Sequence, residues 1–341
     1  MTQNNPTPRD VIVGELKREF SLSIDEKRIQ DAPGGNALYA SCGYLVWEKE
    51  HSPGICTRVG EDFQHDWLED FSVRGINTEG VVVLPHALDL RVCYVQEGDQ
   101  AEIVDDPVAY FSKAGLALPP ALIGYFRQSQ VSLNRRTSWE TSIRESDIPP
   151  TYLTATGAHL CHLDYLSHNL LPAILRQQGF STITMDPDSS YMDPNFLGDI
   201  PALMPGLTAF LPSEDDLKNL YKGVSADIWE MAAELGRFGC EMIVIKRGAA
   251  GQYLYENASG RKWAIPSYPA RVKNPIGAGD AFCGGFLAGY RRTFDPLQAV
   301  LYGSVASSLV VEGSGPFFAL DAMPGLASAR LEHLQEVVQE I

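Results

Sequence analysis

The chain has 341 residues, 45 % hydrophobic and 21 % charged, which is enough apolar material for a sizeable core and excludes disorder as the main state. Its formal net charge of −16 argues against general nucleic-acid binding, which needs a basic footprint, but leaves open a small anion held by amides and a metal ion. The opening MTQNNPTPRD lacks the basic and apolar parts of a signal peptide, no apolar run is long enough to span a bilayer, and the six scattered cysteines read as reduced thiols. A cytoplasmic protein with no membrane or nucleic-acid partner is therefore expected.

Residues 1–9 are polar and expected to fray. Val11–Gly14 reads as a buried first strand, and residues 20–29 alternate as a half-buried strand. A glycine-rich turn at 31–36 leads into a helix over 37–50. A strand at 56–60, a helix at 61–72 and strands at 81–84, 90–95 and 101–104 follow, the last after a Glu97-Gly98-Asp99 turn. Residues 107–150 are partly helix and partly loop, and Asn134-Arg135-Arg136 is expected to be solvated.

From 151 onward strands and helices alternate. Strands are expected at 158–163, 181–186, 206–211 and 242–246, and helices at 167–178, 215–221 and 225–238. An antiparallel pair is expected over 251–255 and 261–265, then helices at 280–292, 296–309 and 327–341. This alternation predicts an α/β fold with a mainly parallel sheet covered on both faces, and the early alternating strands predict a small separate sheet.

The sharpest motif is Asn274-Pro275-Ile276-Gly277-Ala278-Gly279-Asp280, which runs into a helix lined by the small residues Ala281, Gly284, Gly285 and Ala288. The glycines let a ligand approach the backbone, and the helix N-terminus offers free amides and partial positive charge. Together they predict an anion hole suited to a transferring phosphoryl group, with Asp280 at its mouth as a general base. Alone, Asp280 would also read as an N-cap. Another group, His159, Cys161, His162, Asp164 and His168, has residue types that suit zinc, but strand alternation points His159 and Cys161 away from His162. Packing or substrate contact is the expected role there.

The glycine loop resembles the GAGD signature of the ribokinase-like (PfkB) carbohydrate kinases. Further resemblances follow in the same order along the chain, over about residues 10–325. Gly34-Gly35 resembles the family's di-glycine substrate loop, and Met185-Asp186-Pro187-Asp188 its strand-end motif. Pro212–Asp216 stands where the family has Asn-x-x-Glu. Ile243–Gly251 resembles its nucleotide loop and Val305–Pro316 its adenine-side helix and loop.

The resemblance implies one three-layer α/β/α sandwich domain over 1–341, with lid strands at about 16–32 and 84–106. It implies transfer of the ATP γ-phosphate to a hydroxyl of a sugar-like acceptor. Asp280 would be the base, Gly277, Ala278 and Gly279 the anion hole, and Lys246, Gly248, Gly251, Ser213 and Asp216 the nucleotide side. Asp216 and Asp188 would act on Mg²⁺ through water. Lys17, Glu19, Gly34, Gly35, Asn36 and Tyr39 would contact the acceptor.

Several positions depart from the pattern. Glu19 replaces an Asp that holds sugar hydroxyls, and Lys17 and Arg18 beside it either admit an acceptor with a negative group or are solvated lid charges. Tyr39 replaces an Asn, as a stacking surface or as core, and Asn36 is a candidate for the missing amide. Ser213 and Asp216 replace Asn and Glu. Asn274 replaces an Asp that helps many members bind a monovalent cation, which weakens the case for such an ion. The alternatives are a nucleoside kinase or a catalytically silent nucleotide- or sugar-binding protein of the same fold. No Walker loop or protein-kinase motif set is present, and the first strand–turn unit lacks the dinucleotide fingerprint. An exposed lid edge makes a homodimer reasonable.

Overall fold

A computed structural model describes residues 7–98, 100–127 and 135–341. The expectations for the first six residues, Asp99 and Asn134 lie outside them. Nine α-helices and fourteen β-strands are labelled below among the described residues.

Two sheets organise the chain. The larger takes β1 (Asp10–Val13), β4 (Gly54–Val59), β5 (Asn77–Val83), β8 (Gly157–Leu160), β9 (Thr182–Met185), β10 (Ala209–Phe210) and β11 (Met242–Lys246), all parallel. An antiparallel edge follows, made of β12 (Gln252–Glu256), β13 (Lys262–Ile265) and β14 (Gln339–Glu340). The order is β14-β13-β12-β11-β10-β9-β8-β1-β4-β5. The central strands are buried on both faces apart from Lys246 at the end of β11, as strands covered by helices on either side must be.

The smaller sheet joins two hairpins in the order β3-β2-β6-β7: β2 (Lys17–Ser23) with β3 (Arg28–Gly34), and β6 (Arg91–Glu97) with β7 (Gln100–Ile103). Each hairpin is antiparallel, and β2 meets β6 in parallel. The single strand expected over 20–29 is thus a hairpin that turns at residues 24–27, with Lys27 left-handed (φ 49°). The sequence expected at 31–36 as a turn is largely the end of β3.

The helices are α1 (Asn36–Leu45), α2 (Asp66–Val73), α3 (Val108–Ala114), α4 (Tyr165–Gln177), α5 (Glu214–Leu220), α6 (Ile228–Arg237), α7 (Ala278–Thr293), α8 (Pro296–Val310) and α9 (Leu326–Val337). Side-chain caps set several starts: Asp164 for α4, Ser213 for α5, Asp227 for α6, and Asp295 before Pro296 for α8. Four helices are shorter than expected. α1 ends at Leu45, α2 begins only at Asp66, α6 is confined to Ile228–Arg237, and α9 gives way to β14, which pairs with β13. All six cysteines are buried and free. Arg135 pairs with Asp199 (2.5 Å) and lies over the Phe196 ring. Among the described residues no helix is long and apolar enough to cross a membrane.

α7 is packed unusually close to its neighbours. A Cβ on Gly284 would lie 1.7 Å from the Ala40 carbonyl oxygen of α1, and one on Gly43 would lie 2.0 Å from the Ala281 carbonyl oxygen. Gly285 meets α8 in the same way. We expect Gly284→Ala to force α1 and α7 apart and to cost about 1–3 kcal/mol, read as a fall of several degrees in the thermal midpoint. Gly198→Ala, where an added Cβ meets nothing within 4 Å, should leave the midpoint unmoved. Equal midpoints for the two variants would contradict this packing.

Candidate active site

The first turn of α7 is the centre of the site. Gly277 adopts a left-handed conformation (φ 75°), and a Cβ there would lie 2.1 Å from the Tyr39 ring, so only glycine fits on both counts. The helix begins at Ala278, two residues earlier than expected. The Ala278 N–H donates to the Pro275 carbonyl (3.2 Å), and the first intrahelical bond is Ala281 N–H to Gly277 O (2.9 Å). The Gly279 and Asp280 amides precede that bond and stand at the tip. The space beside Gly279 is open: the nearest atom to an added Cβ is the Lys246 ammonium, at 3.7 Å. Asn274 is buried and accepts the Ile276 N–H (3.0 Å), which fixes the turn that leads into the tip.

Two cavities meet this tip from opposite sides. One, of about 270 Å³, is walled by Gly277 and Asp280 and by residues of the small sheet, including Lys17, Glu19 and Tyr94. The other, of about 380 Å³, is walled by Ala278, Gly279, Lys246 and Gly248, and by apolar groups such as Pro269 and Phe282.

In the first cavity the di-glycine loop is shaped around Glu19. This carboxylate is 6 % exposed, and it accepts the Gly35 N–H (2.8 Å) and the Tyr39 hydroxyl (3.0 Å). A Cβ on Gly34 would fall 2.0 Å from the Glu19 carboxyl carbon, and Gly35 has φ 94°. Burial pushes the Glu19 carboxyl up to about 7, helped by the nearby Asp280 charge and opposed by its two hydrogen bonds and Lys17. The Tyr39 ring is buried against Gly277, so Tyr39 supports the tip from below. Asn36 lines the cavity, but its amide is committed at both ends, accepting from Glu15 N–H (2.7 Å) and donating to the His162 carbonyl (3.1 Å). Lys17 pairs with Glu15 (3.0 Å) and Arg18 with Asp31 (2.6 Å), so neither cation is left unmatched for an anionic acceptor.

Beside Asp280 lies a charged cluster that spans the tip. The Lys246 ammonium pairs with Asp186, the same carboxylate oxygen lies 3.2 Å from His162 Nε2, and Cys283 Sγ donates to it (3.3 Å). Burial works against ionisation of Asp186, but Lys246 and His162 together hold its carboxyl well below the usual range. Burial also disfavours a charged His162, yet Asp186 and Asp280 push it up to about 10. The Asp280 carboxyl is raised by burial, and His162 is the strongest influence in the other direction. One ligand atom each of His162, Asp186 and Asp280 lie within 4.8 Å of one another. Lys246 and His162 already share one Asp186 oxygen, Oδ2, while the other, Oδ1, is buried without a hydrogen-bond partner.

On the second side, Gly248 (φ 54°) lines the cavity. Gly251 (φ 86°) instead packs on the backbone at Ile265–Ser267 and shapes the loop. Ser213 bridges to Lys246 by backbone pairing, and its side chain forms a capping box with Asp216. Both Asp216 oxygens are taken, one by Ser213 and one by the Ser189 hydroxyl (2.7 Å). Asp188 lies across the tip, on the wall of the first cavity, with one oxygen accepting the Ser190 N–H (2.8 Å). The structure therefore gathers Asp280, Glu19, Lys17, Gly35, Asn36, Tyr39 and Asp188 around one cavity and Lys246, Gly248, Ala278 and Gly279 around the other. Ser213 and Asp216 stand behind Lys246.

Sequence reading passed over the Asp186–Lys246 pair, whose members are 60 positions apart, and the aromatic wall of the first cavity. In the histidine-rich segment, His162 alone reaches the site. His159 bonds Thr184 (2.9 Å), His168 bonds Tyr191 and the Cys161 carbonyl, and Asp164 caps α4.

This architecture is the ribokinase-like fold of small-molecule kinases. An E. coli protein provisionally assigned as ribokinase II, in complex with ATP and Mg²⁺, superimposes with a TM-score of 0.69 at 16 % identity, covering 96 % of this chain and 99 % of its own. The Burkholderia thailandensis nucleoside kinase in complex with inosine gives a TM-score of 0.68 at 17 % identity, covering 97 % and 100 %. In sequence, the cytidine kinase of Thermococcus kodakarensis is 26 % identical over 83 % of this chain and 88 % of its own length. The chain belongs to the pfkB family of carbohydrate kinases, whose model matches residues 150–323.

The Glu19 environment carries a stability prediction. The folded protein holds the Glu19 proton more tightly than the unfolded chain, so this group's contribution is present in full below about pH 4.5 and is lost as pH rises to about 7. The loss amounts to about 3 kcal/mol. In denaturant titrations, Glu19→Gln should flatten the fall in stability between pH 5 and 8. A fall as steep as in the wild type would show that Glu19 is not the group responsible.

Proposed function

We propose that the protein transfers the γ-phosphoryl group of ATP to a hydroxyl of a neutral, sugar-like acceptor, with Asp280 as general base. The observation that carries this reading is the α7 tip between two cavities, with Asp280 on one side and Gly279 on the other. The nucleotide lies along the second cavity, its base among the apolar groups and its terminal phosphate on the Gly279 and Asp280 amides. The acceptor occupies the first cavity with its hydroxyl at Asp280. Asp280 takes the hydroxyl proton, the acceptor oxygen bonds to the γ-phosphorus, and the bond to the β–γ bridging oxygen breaks to release ADP. Charge that develops on the phosphoryl oxygens meets the tip amides and the Lys246 and His162 cations.

The residues present suit Mg²⁺ held through water. Asp188 keeps one carboxylate oxygen clear of its Ser190 bond, whereas both Asp216 oxygens are spent on the cap and on Ser189. Such an ion would neutralise phosphate charge.

The acceptor is inferred to be neutral because the cavity cations already have carboxylate partners: Lys17 has Glu15 (3.0 Å), Arg91 has Asp89 (2.5 Å), His162 has Asp186 (3.2 Å) and Arg127 has Asp105 (3.9 Å). Glu19, Asp188 and Asp280 add further carboxylates to the same walls. One observation favours a nucleoside as the acceptor. Tyr94, Tyr125, Phe126 and Trp139 line this cavity, and a base offers them a flat face. The cytidine kinase relative agrees with this reading.

In an ADP-release assay with ATP and Mg²⁺ over neutral sugars, polyols and nucleosides, one class should support turnover, and phosphorylated sugars should not. Asp280→Asn should lower kcat by about 10²–10⁴-fold and leave ADP affinity within a few-fold. A variant that keeps most of its turnover would remove Asp280 from the role of base. His162→Gln should raise the acid limb of the kcat/KM profile, because Asp280 loses the cation that keeps it ionised. An unmoved limb would show that His162 does not act on Asp280.

A further inference from the structure

The C-terminal helix α9 reaches the nucleotide side of the molecule through one side chain. Arg330 lies outside the stretch matched by the family model and is 6 % exposed. Its Nη1 donates to Ser308 Oγ (2.9 Å), and its Nη2 donates to Glu312 Oε2 (2.6 Å). The guanidinium also lies over the Tyr268 ring, 4.6 Å from the centroid. Ser308 and Tyr268 are both walls of the second cavity, on α8 and on the loop after β13. The other Glu312 oxygen accepts the Arg271 N–H (3.3 Å), at the start of the segment that leads through Val272 and Pro275 to the glycine tip.

We propose that Arg330 is a positioning residue for the nucleotide base: it fastens α8 and the loop after β13, two walls of the cavity, at one spacing while touching no ligand itself. The proposal rests on the reading of this cavity as the nucleotide site. The geometry requires arginine. The planar fork serves two acceptors while its face covers a ring, and a lysine ammonium can do only part of this. Ser308 gains a fixed orientation, because its hydroxyl donates to the Val305 carbonyl (2.7 Å) while it accepts from Arg330. Tyr268 also makes a T-shaped ring contact with His333 of α9 (5.8 Å between centroids). Without the guanidinium, the Tyr268 loop and α8 lose their common anchor, and the slot between them loses its width. The glycine tip has its own supports in Tyr39 and α1, so the phosphate end of the site stays in place.

The test is calorimetric titration of the full-length protein with ADP and, separately, with inorganic pyrophosphate. Arg330→Lys and Arg330→Met should each weaken ADP binding about tenfold and leave pyrophosphate affinity unchanged. Thermal unfolding run alongside shows that each variant is folded. Wild-type ADP affinity in both variants, or parallel loss of ADP and pyrophosphate affinity, would overturn the positioning role. If neither Arg330 variant folds, Glu312→Gln decides the matter: a several-fold loss for ADP alone supports the network, and no loss overturns it. Failure of the wild type to bind ADP would instead overturn the nucleotide reading itself, and this proposal with it.

Discussion

The contact between α1 and α7 is the constraint from which the site follows. Two helices approach until backbone meets backbone, at Gly284 over Ala40 and at Gly43 over Ala281. That approach seats the start of α7 on the Tyr39 ring, which in turn leaves room only for a glycine at 277. The amides of the first turn therefore point from a rigid base rather than from a mobile loop. Fixed dipoles aimed at a developing charge need no reorganisation at the moment of reaction, which makes rigidity useful there.

The chain carries a net charge of −16, yet the tip is served by two cations, Lys246 and His162, both tied to Asp186. Asp186 thereby keeps positive charge close to the α7 tip in an acidic molecule. It also sets Asp280 between opposing influences, with burial and Asp186 raising its carboxyl and His162 and Lys246 lowering it. The base proposed here must be ionised but not inert, and such a position suits it. Across the cavity, the matched pairs Lys17–Glu15 and Arg18–Asp31 neutralise the basic run that, in the sequence alone, admits an anionic acceptor.

What the sequence showed was mostly local. The glycine tip is contiguous, a turn followed at once by a helix start, so the geometry of Gly277 to Asp280 was legible locally. The alternation of strands and helices after residue 151 likewise yields the parallel sheet, because each buried strand is an apolar run closed by a turn. The hairpin over 17–34 was hidden because its turn, Asp25-Glu26-Lys27, holds no glycine and places a lysine in the left-handed region. The end of α9 was over-extended because nothing local signals that 339–340 will pair with β13. Contacts between distant segments were out of reach for the same reason. Asp186 with Lys246, and Arg330 with Ser308, are decided by where the sheet and helices bring them. Tyr39 and Asn36 were seen as site residues, but their orientation, one supporting the tip and the other bracing the loop, depends on Gly277, Glu15 and His162.

The central claim is that one helix tip serves two cavities, nucleotide on the Gly279 side and acceptor on the Asp280 side. The most direct test is a crystal structure with a non-hydrolysable ATP analogue and Mg²⁺. The base should lie between Tyr268 and α8 and the γ-phosphate on the Gly279 and Asp280 amides, facing the Asp280 carboxylate. A nucleotide bound in the Glu19 cavity, or with its phosphates directed away from the tip, would contradict it.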